Sequence, residues 1–229
     1  MSRAASHVVE QILESMQVLV RSYHPEVRRT GATMSELVDG TAFFPGGCGL
    51  WRGSTPFGRL PDLFPDALVM IIAHNFDSIA AYEKCMRNGG EAQSFFWRIL
   101  LAYLAEANIN PEHCFFTNAL MGVKPGSAVG PMPAVPGYHD ECQTFLKRQI
   151  EIASPSLIVT LGQKARSRVN TLRTAVPSVG LLHPSARELK PLTTRRGFIE
   201  REAEVLSKAY EAVCAAISVS GSRLQLPPL

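Results

Sequence analysis

The chain has 229 residues, of which 46% are apolar, and a net charge of +3: enough for one α/β domain with a sizeable core, and basic enough to permit an anionic partner without requiring one. No apolar run approaches the roughly 20 residues that span a bilayer, and no basic-then-apolar leader opens the chain, so membrane insertion and secretion are not expected. Five cysteines at positions 48, 85, 114, 142 and 214 form no Cys-x-x-Cys pair, which argues against a disulfide framework or closed zinc site and implies a reducing, cytoplasmic setting.

Ser6 can cap a first helix running to about Tyr23, because Val9, Ile12, Leu13, Met16, Leu19 and Val20 recur on one side. Residues 24–66 read as irregular. Their glycine-rich stretch, Gly46-Gly-Cys-Gly-Leu-Trp-Arg-Gly53, lacks the spacing of a phosphate-binding P-loop. The run Ala67–Ala73 is apolar without interruption and rich in β-branched residues. It reads as a central strand of a parallel sheet with both faces covered. It ends abruptly on His74, Asn75 and Asp77.

Ser78–Gly90 reads as a helix stopped by Asn88-Gly-Gly, and Gln93–Ala107 as a stronger one with Phe96, Leu100, Tyr103, Leu104 and Ala107 in register. A second strand, Cys114–Asn118, closes on a polar residue. Residues 121–137 are a Pro/Gly-rich loop, and Tyr138–Ala153 is a helix. A third strand, Leu157–Leu161, meets Gly162, which opens another helix. A fourth, Val179–Leu182, ends on His183-Pro-Ser185. A last helix runs from about Gly197 to Ile217.

Strand and helix alternate four times, so the expected fold is α/β: a single doubly wound domain with a central four-stranded parallel sheet flanked by helices. The main domain is expected at 41–218, with residues 1–40 an N-terminal helix and lead-in packed on it and 219–229 a loose tail. In such sheets ligands bind beyond the carboxyl ends of the strands. Three strands end there on useful groups: Asn75 with its neighbours, Asn118 and His183. Asn118 offers one acceptor and two donors, which match a flat heterocycle showing an acceptor beside an N–H, such as the O4/N3–H edge of uracil. A neutral His183 can donate to an oxygen gaining negative charge, and Asn75 or Asp77 can hold a water. Together they suit cleavage of a bond to a base that leaves as an anion.

Four segments resemble the uracil-DNA glycosylase superfamily. Ala73-His-Asn-Phe-Asp77 falls at its first motif, and Phe115-Phe-Thr-Asn118 resembles the strand whose Asn reads the uracil edge. Cys142-x-x-Phe-Leu with Leu161-Gly-Gln-Lys-Ala165 resembles its helix-then-strand signature, and Leu182-His-Pro-Ser185 its second catalytic motif. The first motif departs from the family pattern, with Ala73 for Gly and Phe76 for Pro. The resemblance implies a DNA repair glycosylase that flips deoxyuridine from DNA, releases free uracil and leaves an abasic site. It implies catalytic roles for Asn75, His183 and Asp77. It puts His74, Asn118 and an aromatic (Phe95, with Phe76 as rival) around the uracil. DNA contacts fall to Ser185, Arg187, Arg195 and Arg196, beside Lys190.

Some relatives hold an iron–sulfur cluster on four cysteines. Only Cys142 stands at such a position here, and Gly122 or Val123 occupies another, so no metal or cofactor is expected. A monomer acting on the nucleoid is expected. Competing readings stay open. Asn118 and the Asp77-Ser78 pair can be caps, Phe95 and Trp97 core, and the basic run a solvated face. A catalytically silent DNA- or base-binding member, a glycosylase for another deaminated base, or an unrelated small-molecule hydrolase would share these residues.

Overall fold

The computed structural model describes residues 4, 6–12, 14, 49–50, 62, 65, 67–75, 80, 95–121 and 136–222. Its centre is a five-stranded sheet in the order β1-β3-β2-β4-β5. The strands are β1 (Gly49–Leu50), β2 (Val69–Asn75), β3 (Cys114–Leu120), β4 (Leu157–Leu161) and β5 (Ser178–Leu181). β2 pairs in parallel with both β3 and β4, and β4 pairs in parallel with β5. This is the expected four-stranded parallel sheet with one addition. The two-residue β1 runs antiparallel on the outer edge of β3, with Gly49 opposite Phe116. Two residues inside a glycine-rich stretch carry no periodicity, so the pairing was not legible from sequence. Gly49 is needed there, because a Cβ would lie 1.8 Å from the Phe116 carbonyl oxygen.

Among the described residues the sheet is covered by the helices α1 (Phe95–Glu106), α2 (Tyr138–Ala153), α3 (Gln163–Leu172) and α4 (Leu192–Ser222). α1 and α4 share a core with one face of the sheet, where Val69, Ile71, Ala73, Phe116, Val159, Leu161 and Leu181 meet Trp97, Leu100, Tyr103, Leu104 and Leu206. The alternate residues Met70, Ile72, Phe115 and Ile158 are equally buried and face the layer of α2 and α3, as the two-residue period requires. Burial on both faces explains why β2 reads as a continuous apolar run.

α2 buries Tyr138, Cys142, Phe145, Leu146, Gln149, Ile150 and Ala153, a stripe of helical spacing. α4 starts five residues before the expected Gly197 and continues past Ile217 to Ser222. Its last buried apolar residue is Val213. Of the helix expected at 78–90 only Ala80 is described, and it is helical; of the loop expected at 121–137 only Met121, Pro136 and Gly137 are described. Residues 219–222 of the expected loose tail are instead the end of α4, and those from 223 lie outside the described residues. The N-terminal helix is present where described, at 6–12, with Val8, Val9 and Ile12 buried.

Candidate active site

The polar residues of the strand ends collect at the carboxyl edge of the sheet. Asn118 is not the last residue of β3, as the sequence suggested. It lies within the strand opposite Ala73, and Asn75 is the last residue of β2, opposite Leu120. Register puts Asn118, Ala73 and Asn75 on one face, the face of Phe116 and of the α1/α4 layer. Asn118 is 0% exposed. Among the described residues, neither its Oδ1 nor its Nδ2 has a hydrogen-bond partner. A buried amide left unpaired costs on the order of 1–3 kcal/mol per group. Such a group is kept where a ligand supplies the partner.

His183 follows β5 by two residues, and its surroundings fix it from four directions. The backbone N–H of Ser185 donates to its Nδ1 at 3.1 Å. In a neutral imidazole the proton then sits on Nε2, so His183 presents a donor. Burial lowers its pKa below the ordinary value, with a smaller contribution from His74. Phe96 of α1 packs on the ring, with centroids 5.4 Å apart, and Trp97 joins it to Phe116 at 4.9 Å.

Gly162, between β4 and α3, has φ +83° and ψ 168°, a region essentially reserved for glycine. A Cβ there would lie 3.1 Å from the His183 Cβ. The Gly162 N–H also donates to the Leu181 carbonyl at 2.8 Å. This close approach is the physical meaning of the Leu-Gly-x-x-Ala segment, whose Ala165 is fully buried.

Two further residues hold the backbone that enters His183. Glu202 of α4 accepts the Leu182 N–H at 2.6 Å, and Tyr103 of α1 donates to the Leu182 carbonyl at 3.4 Å. The sequence marks Tyr103 only by its place in the helical register of α1 and does not mark Glu202. No sequence signal marks a carboxylate twenty residues downstream as the acceptor for a strand-end N–H. The Tyr103 hydroxyl is pushed above its usual pKa, first by burial and then by Glu202.

The other end of the site is His74. Its Nδ1 and the Asn75 Oδ1 are 2.8 Å apart. Burial lowers the His74 pKa, the bond to Asn75 opposes this, and Lys164, Arg168 and His139 lower it further.

The remaining predicted residues separate by environment. Phe95 lies under the Arg195 guanidinium, 5.0 Å from ring centre to Cζ, whereas Phe96 is the aromatic against His183. Arg195 is half-buried. It donates from Nε to the Leu189 carbonyl at 2.7 Å and from Nη2 to the Lys190 carbonyl at 2.8 Å. It therefore braces the loop after His183, a role that the expected phosphate contact did not anticipate. Arg196 is 90% exposed and pairs with Glu200 at 2.7 Å. Ser185 and Arg187 are exposed on the same loop. Phe76 and Asp77 lie outside the described residues. Cys142 is buried, accepts the Met121 N–H at 3.3 Å and has its thiol pKa pushed up to about 11 by burial. Among the described residues no three His, Cys, Asp or Glu gather as metal ligands.

A buried amide without partners among the described residues and a neutral imidazole donor, at the carboxyl edge of a parallel sheet, are a set of groups able to hold a polar heterocycle in an α/β protein. The Uracil DNA glycosylase superfamily model matches residues 61–208. The chain belongs to that superfamily, which makes it a glycosylase-type domain with DNA as its partner. No curated protein matches the chain. No described helix is long and apolar enough to cross a membrane.

Proposed function

We propose that this protein hydrolyses the N-glycosidic bond of deoxyuridine in DNA, releasing uracil and leaving an abasic site. The observation that carries this reading is the Asn118 amide, fully buried with both polar atoms unpartnered among the described residues. One acceptor and one donor on adjacent atoms complement the N3–H and O4 of uracil.

Basic side chains, Arg187 and Arg196 among them, neutralise phosphates and give the salt-dependent part of the affinity. The nucleotide is flipped at a cost of a few kcal/mol. Leu192, 79% exposed at the start of α4, is an apolar side chain suited to fill the gap left in the stack. As the bond to C1′ breaks, negative charge grows on uracil O2 and the Nε2–H of His183 donates to it. A preorganised donor of this kind contributes roughly 3–4 kcal/mol, a hundred- to a thousandfold in rate. Asn75 or Asp77 handles the attacking water.

The test is incubation with oligonucleotides carrying uracil, hypoxanthine, xanthine or a thymine mispair, followed by alkali. Strand cleavage at uracil supports the reading. Cleavage only at another base moves the substrate. Salt-dependent DNA binding with no alkali-labile site identifies a silent binder and refutes the reading.

A further inference from the structure

The two histidines of the site are held in opposite tautomers. His183 receives the Ser185 N–H on Nδ1 and so carries its proton on Nε2. The Nδ1 of His74 faces the Asn75 Oδ1 at 2.8 Å. An amide oxygen only accepts, so Nδ1 of His74 carries the proton and Nε2 keeps its lone pair. No described residue bonds to that Nε2. One imidazole offers a donor and the other an acceptor at the carboxyl edge of the sheet, His183 from the α1 side and His74 from the side of α2 and α3, and their charges interact.

Hydrolysis of a glycosidic bond needs both: a donor for the leaving base and an acceptor for the proton of the attacking water. Asn75 supplies no useful base, since an amide does not take a proton near neutral pH. It is placed to do something else, namely to fix the ring and tautomer of its neighbour, as the third member of a nucleophile–base–orienter set does.

Resting on the glycosylase reading, we propose that His74 is the general base for the attacking water and that Asn75 is its positioning residue. Water oxygen bonds to C1′ as the C1′–N1 bond breaks. The bond pair leaves with uracil, whose O2 is held by His183. The water proton goes to His74 Nε2, and the imidazolium later returns it to solvent or to the released base. No other reactant is needed.

The groups facing His74 keep it in the lone-pair form. Burial is the largest influence and lowers its pKa; the bond to Asn75 opposes this, and Lys164 and Arg168 on α3 and His139 on α2, with His183 beyond β5, are neutral or cationic and act with burial. Protonation removes the base, so the rate falls as pH drops through a value below the ordinary 6.5 of imidazole.

Single-turnover base release from a uracil oligonucleotide, measured from pH 5 to 9, tests this together with ¹⁵N NMR of the His74 ring. The expected wild-type profile has an acid limb below pH 6.5. His74→Gln should lower the plateau about 10²–10³-fold and abolish the limb. Asn75→Asp should move the limb upward by about one unit or more, because a carboxylate on Nδ1–H stabilises the imidazolium. The ring should show Nδ1 protonated and Nε2 bare. A His74→Gln enzyme within about threefold of wild type with the same limb refutes the base assignment and leaves the glycosylase reading standing. So does an Asn75→Asp limb that does not move, or a proton found on Nε2. These last two measurements decide the matter if His74→Gln does not fold. A wild type inactive on every lesion overturns the glycosylase reading, and this assignment with it.

Discussion

Replacing Asn118 by leucine should make the protein more stable and abolish its activity. Asn118 is 0% exposed, and both of its polar atoms lack partners among the described residues. Each unpaired buried group costs about 1–3 kcal/mol. Leucine has nearly the same volume, removes both penalties and brings about 1.5–3 kcal/mol of apolar burial of its own. Imperfect fit against Phe116 and Ala73 takes back about 1–3 kcal/mol. At mid-range values a net gain of about 4 kcal/mol follows, which for a chain of this size raises Tm by roughly 8–16 °C. Base release from a uracil oligonucleotide should fall at least about a hundredfold, or ~2.7 kcal/mol of transition-state stabilisation. Urea midpoints and single-turnover rates on the same preparation measure both. Destabilisation by about 1 kcal/mol or more shows that Asn118 has a structural partner and is a strand cap, and retained activity shows that it does not read the base.

The other expectations concern the residues around it. Gly162→Ala forces a Cβ to 3.1 Å from the His183 Cβ at φ +83°; it should cost about 1–3 kcal/mol in stability and at least tenfold in rate, and a fully active variant would show that His183 tolerates displacement. Glu202→Ala removes the acceptor of the Leu182 N–H and should slow base release about tenfold with DNA affinity unchanged, while Glu202→Gln, which keeps a carbonyl oxygen, should recover most of the rate; equal loss in both would point to the charge rather than the hydrogen bond. Arg196→Ala should lower the salt slope of DNA binding by about one unit with little change in stability, whereas Arg195→Ala should reduce stability through the lost carbonyl contacts of the loop; the reverse pattern would exchange their roles. His74 and His183 are held below the ordinary 6.5 chiefly by burial, so below that pH the unfolded chain binds more protons than the folded one. Stability should therefore decline as pH falls through this range, as urea midpoints at pH 7.5 and 5.5 would register.

The sequence by itself determined the parallel sheet. β2 is apolar at successive positions because it is covered on both faces, and that single cause makes both the run and the fold legible. It also marked the polar groups at the strand ends, since His74, Asn75, Asn118 and His183 follow or interrupt apolar runs. Tertiary structure alone decided what those groups touch. The tautomer of His183 depends on a backbone N–H two residues on, and that of His74 on which way its neighbour's amide turns. The choice of Phe96 over Phe95 as the ring beside His183 follows from where α1 meets the β5 end, and Arg195 caps Phe95 because α4 begins there. Gly162 was visible as a glycine, but its reason, the His183 Cβ beyond β5 lying 3.1 Å from where a Cβ would stand, was not. Periodicity records burial, which is a property of each element. The contacts of Gly162, Phe96 and Phe95 join residues 21 to 100 positions apart, and the two short-range bonds that set the tautomers depend on how a turn and a side chain are oriented, none of which a local pattern encodes.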